Sequence, residues 1–219
     1  MITEDAQRVV SLIRAQFGLP DLGLHLSRLL ADGEPVTVER AAAAGGWRME
    51  ELRAELARHP GTDWDEQGRI VGLGLTLRPT PHRFTFDGQT VYGFCASDAL
   101  AFPVVLGRPG VVESRCPVTD RHIRVEVTPS RVVRADPPEA VVSKVRPDHA
   151  VADVRTEVCA LGSFFSSSEA AADWLAHYPQ GKVVPIAEDF EVTRQAMIEL
   201  GWAAPGDETT AQRPPPRKE

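Results

Sequence analysis

Cysteine is scarce in this 219-residue chain, and its three copies, Cys95, Cys116 and Cys159, form no CxxC pair. An odd, widely spaced set builds neither a disulfide framework nor a four-cysteine zinc site, so free thiols in a reducing compartment are expected. Long apolar runs are missing too: none approaches the ~20 residues that span a bilayer. The start, MITEDAQRVV, is acidic and lacks the basic and then apolar stretch of a secretory signal. The expectation is a cytoplasmic protein with no membrane partner. Positive charge is short as well, since 24 Lys and Arg face 31 Asp and Glu for a net charge of −7. Affinity for a phosphate backbone rests largely on Lys and Arg releasing counterions, so nucleic acid is not the expected partner. Neither an internal repeat nor a glycine-rich phosphate loop is visible.

What is present begins with short helices. In EDAQRVVSLIRAQFG, Val9, Val10, Ile13 and Phe17 recur at helical spacing and Gly18 is placed to stop the helix. A second helix fits LGLHLSRLLADG. PVTVERAAAAGGWRMEELRAELARHP then reads as a short helix, a Gly-Gly turn and a longer helix with Met49, Leu52 and Leu56 on one face. Two strand-like runs follow in GRIVGLGLTLRPTPHRFTF, where the wing of a winged helix would sit. The candidate recognition helix carries Glu50, Glu51 and Glu55 against Arg48 and Arg53, and residues 1–80 hold nine Arg, no Lys and twelve acidic residues. A groove-reading helix is not acidic, so the motif is expected to serve as scaffold.

Beyond residue 80 the pattern turns to strands. FTFDGQTVYGF is a hairpin signal with Asp87-Gly88 as its two-residue turn. HIRVEVTP alternates Ile123, Val125 and Val127, and AVVSKV and VCALGSFF are further strand candidates. Helices return in SSSEAAADWLAHYP, where Ser166 and Glu169 have capping-box spacing, and in EDFEVTRQAMIELG, which Gly201 can terminate. Irregular alternation predicts an α+β fold with mainly antiparallel pairing and flanking helices. The expected division is a helical, winged-helix-like module at 1–80, an α+β catalytic domain at 81–203, and a proline-rich, disordered tail at 204–219.

Three separated segments carry a resemblance: GLGLTLRPT through FTFDGQTVYGFCASDALAFPVVLGR, then VVESRCPVTD, then ADVRTEVCALGSFFSS with ADWLAHYPQG. In order and spacing they resemble the organomercurial lyase (alkylmercury lyase) family of bacterial mercury resistance. The resemblance implies a winged-helix-like module before a distinctive α+β catalytic domain. It matches Cys95 to the first catalytic cysteine, Asp98 to the catalytic acid and Cys159 to the second cysteine; Cys116 matches a third that is structural or outside the chemistry. Relatives often place a tryptophan where this chain has Phe94, and some a further cysteine where it has Ala160.

The chemistry fits those residue types. Mercury is a soft cation suited to thiolates, and the carbon it releases needs a proton delivered at close range, the task of a general acid. Cys95 and Asp98, three apart at the start of a helix, would share one face. An isolated aspartate, with a pKa of about 3.9, holds almost no proton at pH 7; burial raises that value, and a thiol losing its proton to mercury supplies one. The expected reaction is protonolysis of an organomercurial to a hydrocarbon, leaving Hg(II) on Cys95 and Cys159 beside Asp98. No organic cofactor is expected. Exogenous or cellular thiols, or a mercuric reductase, would take the ion, and the chain would act as a monomer or weak homodimer.

Taken singly, each residue has a plainer role: the cysteines as small buried hydrophobes, Asp98 as a helix cap. Tyr92, Phe94, Phe102, Phe164 and Phe165 could line a pocket or fill a core. Cys116 with His122 lacks further zinc ligands, and His25, His59, His82 and His177 show no ligand spacing. A winged-helix regulator that senses thiol-reactive metals, or a relative that binds mercury without catalysis, are the alternative functions.

Overall fold

The computed structural model describes residues 2–145, 147 and 151–204; the expected disordered tail lies, from residue 205 on, outside them. Four helices come first: α1 (Glu4–Gln16), α2 (Leu22–Leu30), α3 (Val38–Gly45) and α4 (Met49–Ala57). Thr3 and Thr37 cap α1 and α3 by accepting from Ala6 N and Arg40 N, and Gly46, at φ 69°, ends α3 in the left-handed conformation that glycine adopts without strain. Leu52 and Leu56 of α4 are buried, but Met49 is 38% exposed, so the expected three-residue face is two residues wide. Met49 opens the helix and projects beyond the core.

Strands β1 (Asp63–Trp64), β2 (Ile70–Leu73), β3 (Leu75–Thr76), β4 (His82–Phe86), β5 (Gln89–Gly93), β6 (Gly110–Arg115), β7 (His122–Val127) and β8 (Val132–Asp136) form one sheet in the order β1-β2-β3-β5-β4-β6-β7-β8. All its pairings among the described residues are antiparallel. The β4–β5 hairpin turns at Asp87 and Gly88, both at positive φ, as its sequence predicts. Strands from either side of residue 80 share this sheet, so helical module and catalytic part are joined through backbone hydrogen bonds.

Across the sheet lies α5 (Ala96–Leu106), buried at seven of its eleven positions, including Leu100, Phe102 and Val104. A helix apolar nearly all round belongs in the middle of a fold. It packs on β3–β6, on α2 and on α8 (Ile186–Glu199). A second sheet, β10-β9-β11, pairs β9 (Val141–Lys144) with β10 (Phe164–Phe165) and β11 (Lys182–Pro185). The α+β reading holds. Among the described residues no helix is long and apolar enough to cross a membrane.

Two local expectations fail. VCALGSFF is not one strand: Cys159–Leu161 is a 3-10 turn following α6 (Val154–Glu157), and only Phe164–Phe165 pair as β10. A short apolar run does not distinguish strand from buried turn, and here Asp153 caps α6 and draws the chain into helical geometry before the cysteine. Ser166 and Glu169 form no capping box either, because α7 (Ala172–His177) starts later with Ala171 at its cap. The Ser166 side chain is instead buried, 3.1 Å from the Thr119 hydroxyl.

Candidate active site

Cys95 ends the turn after β5 and is the N-cap of α5. Its sulfur accepts from Asp98 N at 3.3 Å while Asp98 Oδ2 accepts from Cys95 N at 3.2 Å, a reciprocal capping box. The sequence places thiol and acid on one helix face; the structure brings them together through the cap. Gly93 permits it, since a Cβ there would meet Ala99 N and Cys95 O at 2.9 Å.

The second cysteine reaches the first through backbone. Ala96 N donates to Gly162 O at 3.1 Å, and a Cβ on Gly162 would lie 3.2 Å from Cys95 Cβ, so the turn bearing Cys159 is pressed onto the start of α5. Two neighbours on β9 hold the two sides. Ser143 Oγ donates to Leu161 O at 3.0 Å and accepts from Ser163 N at 2.9 Å. Lys144 is ion-paired with the fully buried Asp189 of α8, which also accepts from Ser97 Oγ at 2.8 Å. One strand thus braces both thiol-bearing loops.

The outcome is a cluster in which the ligand atoms of Cys95, Asp98 and Cys159 lie within 4.8 Å of one another. It is the one group of three or more His, Cys, Asp or Glu side chains among the described residues arranged to hold a metal ion. Both sulfurs are buried and Asp98 is half-buried. Burial pushes Asp98 up to about 6, against hydrogen bonds from both cysteines and the nearby backbone. The hydrogen bond to Cys159, burial and the Asp98 charge hold the Cys95 thiol well above its ordinary range. For Cys159 the hydrogen bond from Cys95 favours the thiolate, but burial and Asp98 outweigh it and its pKa is raised too. The Arg155 guanidinium favours the Cys159 anion, while the Asp98 charge opposes ionisation of both thiols.

Arg155 is the residue sequence reasoning missed. Its Nη1 donates to Asp63 Oδ1 at 2.7 Å and Gly61 O at 2.9 Å, and its Cζ lies 3.8 Å from the centroid of the Phe94 ring. This cation–π stack fixes the residue before Cys95. The signal was weak: a lone arginine four residues before a cysteine reveals nothing until the partners from residues 61 and 63 are in place.

A cavity of about 900 Å³ opens over the cluster, with Phe94 and Phe102 in its lining. Phe164 and Phe165 are core, and Tyr92 does not line the cavity. His25 packs on Trp47, His59 bonds Glu55, His82 bonds Ser114 and His177 bonds its own helix, none of them joining the cluster.

Cys116 also stays apart. It is buried in a tight loop where its backbone pairs with Arg121 O at 3.0 Å and Asp120 N at 2.9 Å. Burial would raise its pKa, but hydrogen bonds from Thr119 and Ser166 prevail and bring it to about 6. His122, its one conceivable zinc partner, lies 3.3 Å from Glu113 instead. Cys116→Ala is expected to cost about 1–2 kcal/mol of stability through lost packing and loss of the sulfur that Thr119 and Ser166 bond, with turnover retained in the folded fraction. Denaturant unfolding beside an activity assay checks it; full stability with abolished turnover would contradict a structural role.

The chain was compared with known proteins. A family model described as "Alkylmercury lyase" matches residues 75–197, and one described as "Helix-turn-helix domain of alkylmercury lyase" matches 15–74. The chain is similar to the alkylmercury lyase of Staphylococcus epidermidis, at 47% identity over 77% of this chain and 78% of that protein. It is 45% identical to that of Streptomyces lividans over 80% and 81% of the two chains. Among solved structures, the mercury-bound form of MerB2 superposes with a TM-score of 0.73 at 23% identity, covering 90% of this chain and all of the other, a likeness of fold. With matched segments running from residue 15 to residue 197, through all three clustered side chains, the chain belongs to the alkylmercury lyase family.

Proposed function

We propose that this alkylmercury lyase cleaves carbon–mercury bonds with Cys95, Cys159 and Asp98 as its reacting groups. The observation that carries the assignment is the buried cluster itself: two thiols and one acid with a raised pKa inside 4.8 Å. Soft thiolates suit mercury, and an acid poised near the working pH both takes and gives a proton readily.

The substrate arrives as an organomercurial carrying an external thiolate. Cys159, the thiol not engaged in the Asp98 capping box, binds mercury as its thiolate and displaces the external thiolate, which leaves with the Cys159 proton. Cys95 adds its sulfur as its proton passes to the Asp98 carboxylate, hydrogen-bonded beside it. Asp98 then protonates the mercury-bound carbon; the carbon–mercury bond breaks, the hydrocarbon leaves, and Hg(II) remains on two sulfurs with Asp98 again a carboxylate. One proton moves from thiol to carbon and no electrons are exchanged, so the step needs no organic cofactor. Cellular thiols or a mercuric reductase remove the ion.

The test is turnover. Purified protein in excess thiol is expected to convert many equivalents of phenylmercury to benzene and of methylmercury to methane, followed by headspace gas chromatography. Hydrocarbon limited to a trace, from folded protein able to bind mercury, would sink the lyase assignment and leave a mercury-binding protein.

A further inference from the structure

Helix α1 lies almost wholly ahead of residue 15, where the matched family segments begin. Ala6 and Val10 bury its inner side, and the helix packs on α8. Val9, Leu12 and Ile13, with Phe17 just past its end, are half-buried and line the cavity that holds the cysteine–aspartate cluster. Their spacing makes them one stripe along the helix. Val9, Ile13 and Phe17 rest on the core with one side, as such a stripe ordinarily does, and with Leu12 they turn the rest of their surface to a cavity of about 900 Å³.

The helix is tied down at both ends. Thr3 N and Oγ1 donate to Gln195 Oε1 at 2.9 and 3.0 Å, Asp5 pairs with Lys182, and Gln16 Nε2 donates to Val151 O at 3.1 Å. Among the described residues, the four Lys and Arg side chains in the cavity wall are also committed, Arg8 to Glu4, Lys144 to Asp189, Lys182 to Asp5 and Arg155 to Asp63. What the wall offers a ligand is therefore mainly apolar surface.

We propose that the Val9–Leu12–Ile13–Phe17 stripe of α1 receives the organic group of the substrate and makes the chain selective for mercurials with a large apolar group, aryl over methyl. The inference rests on the lyase assignment for its substrate. Pockets of ~300–1,000 Å³ enclose whole drug-sized ligands, so a methyl group leaves most of the cavity to water. An aryl group removes more water from the stripe, and the hydrophobic gain grows with the area covered. The cluster fixes mercury; α1 decides what may be attached to it.

Two measurements on the full chain test this. In the first, kcat/KM for phenylmercury and methylmercury is taken for the native protein, for Leu12→Ala and Val9→Trp on the stripe, and for Arg14→Ala on the exposed side of α1. The phenyl-to-methyl ratio is expected above one in the native protein, about tenfold lower in each stripe variant, and unchanged in Arg14→Ala. In the second, the same α1 substitutions are placed on Asp98→Asn, and the two mercurials compete for the protein at equilibrium, read by intact-protein mass. The bound ratio is expected to shift in the same direction. Ratios within twofold of native for both stripe variants in both measurements would overturn the proposal. Absence of hydrocarbon from the native protein, with the bound ratio still following the stripe, would remove the lyase assignment and keep the wall.

Discussion

Asp98→Asn is expected to lower hydrocarbon release by about 10²–10⁴-fold, the usual contribution of a positioned general acid, while the protein still holds mercury through its sulfurs. The amide keeps the size and can still accept from Cys95 N as Asp98 does at 3.2 Å; it can neither take the thiol proton nor pass it to carbon. The same change should stabilise the fold. Burial raises the Asp98 pKa from an ordinary 3.8 to about 6, so the folded state binds that proton more tightly than the unfolded chain. The penalty for an ionised Asp98 is absent below pH 3.8, grows from there to about pH 6 and is constant above, reaching up to about 3 kcal/mol, less where water reaches the half-buried side chain. Asn escapes it. Denaturant unfolding at pH 4 and pH 7.5 should show the variant's advantage only at the higher pH. Native-like turnover in the variant would take Asp98 out of the mechanism.

The second large effect separates the two cysteines. Cys95→Ser and Cys159→Ser should each abolish turnover, because a hydroxyl is a poor ligand for a soft metal, but they should fail at different stages. With Cys95 replaced, Cys159 can still ionise and capture the organomercurial; the product is a stalled protein carrying one uncleaved organic group, visible as added mass. With Cys159 replaced, the remaining thiol lies beside Asp98 in a buried site that holds it protonated, and capture itself slows. Serine is a preferred N-cap, so Cys95→Ser keeps the start of α5 to within about 1 kcal/mol and its loss of activity is chemical. Equal capture rates in the two variants would remove the assigned order of attack, and faster capture by Cys159→Ser would reverse it.

How much of this was legible in the sequence depended on the range of the interaction. The Asp87-Gly88 hairpin, the ends of α1 and α8 and the alternation of β7 are local, and local chemistry determines them. The three residues that cluster, and that are proposed to react, were singled out through segments that resemble a known family; singly, a buried thiol and a capping acid are common, and Asp98 is a helix cap as well as the proposed acid. Long-range placement was not legible. Val9, Ile13 and Phe17 have the periodicity of core residues whether a core or a cavity lies against them. The 3-10 turn at Cys159 follows from a cap at Asp153 that an apolar run conceals. Arg155, on α6, and Asp63, on β1, stand 92 positions apart, and only the folded chain makes them neighbours.

The guanidinium over Phe94 is steadied by Gly61 and Asp63, which lie in the helix-turn-helix segment, whereas Phe94 and Arg155 lie in the other. A segment matched as a helix-turn-helix domain is here a buttress for the pocket that holds the cysteine–aspartate cluster. A hybrid that takes residues 1–74 from a protein without an acceptor at the Asp63 position is expected to lose this brace on Phe94, so the two segments meet in one contact that neither contains alone.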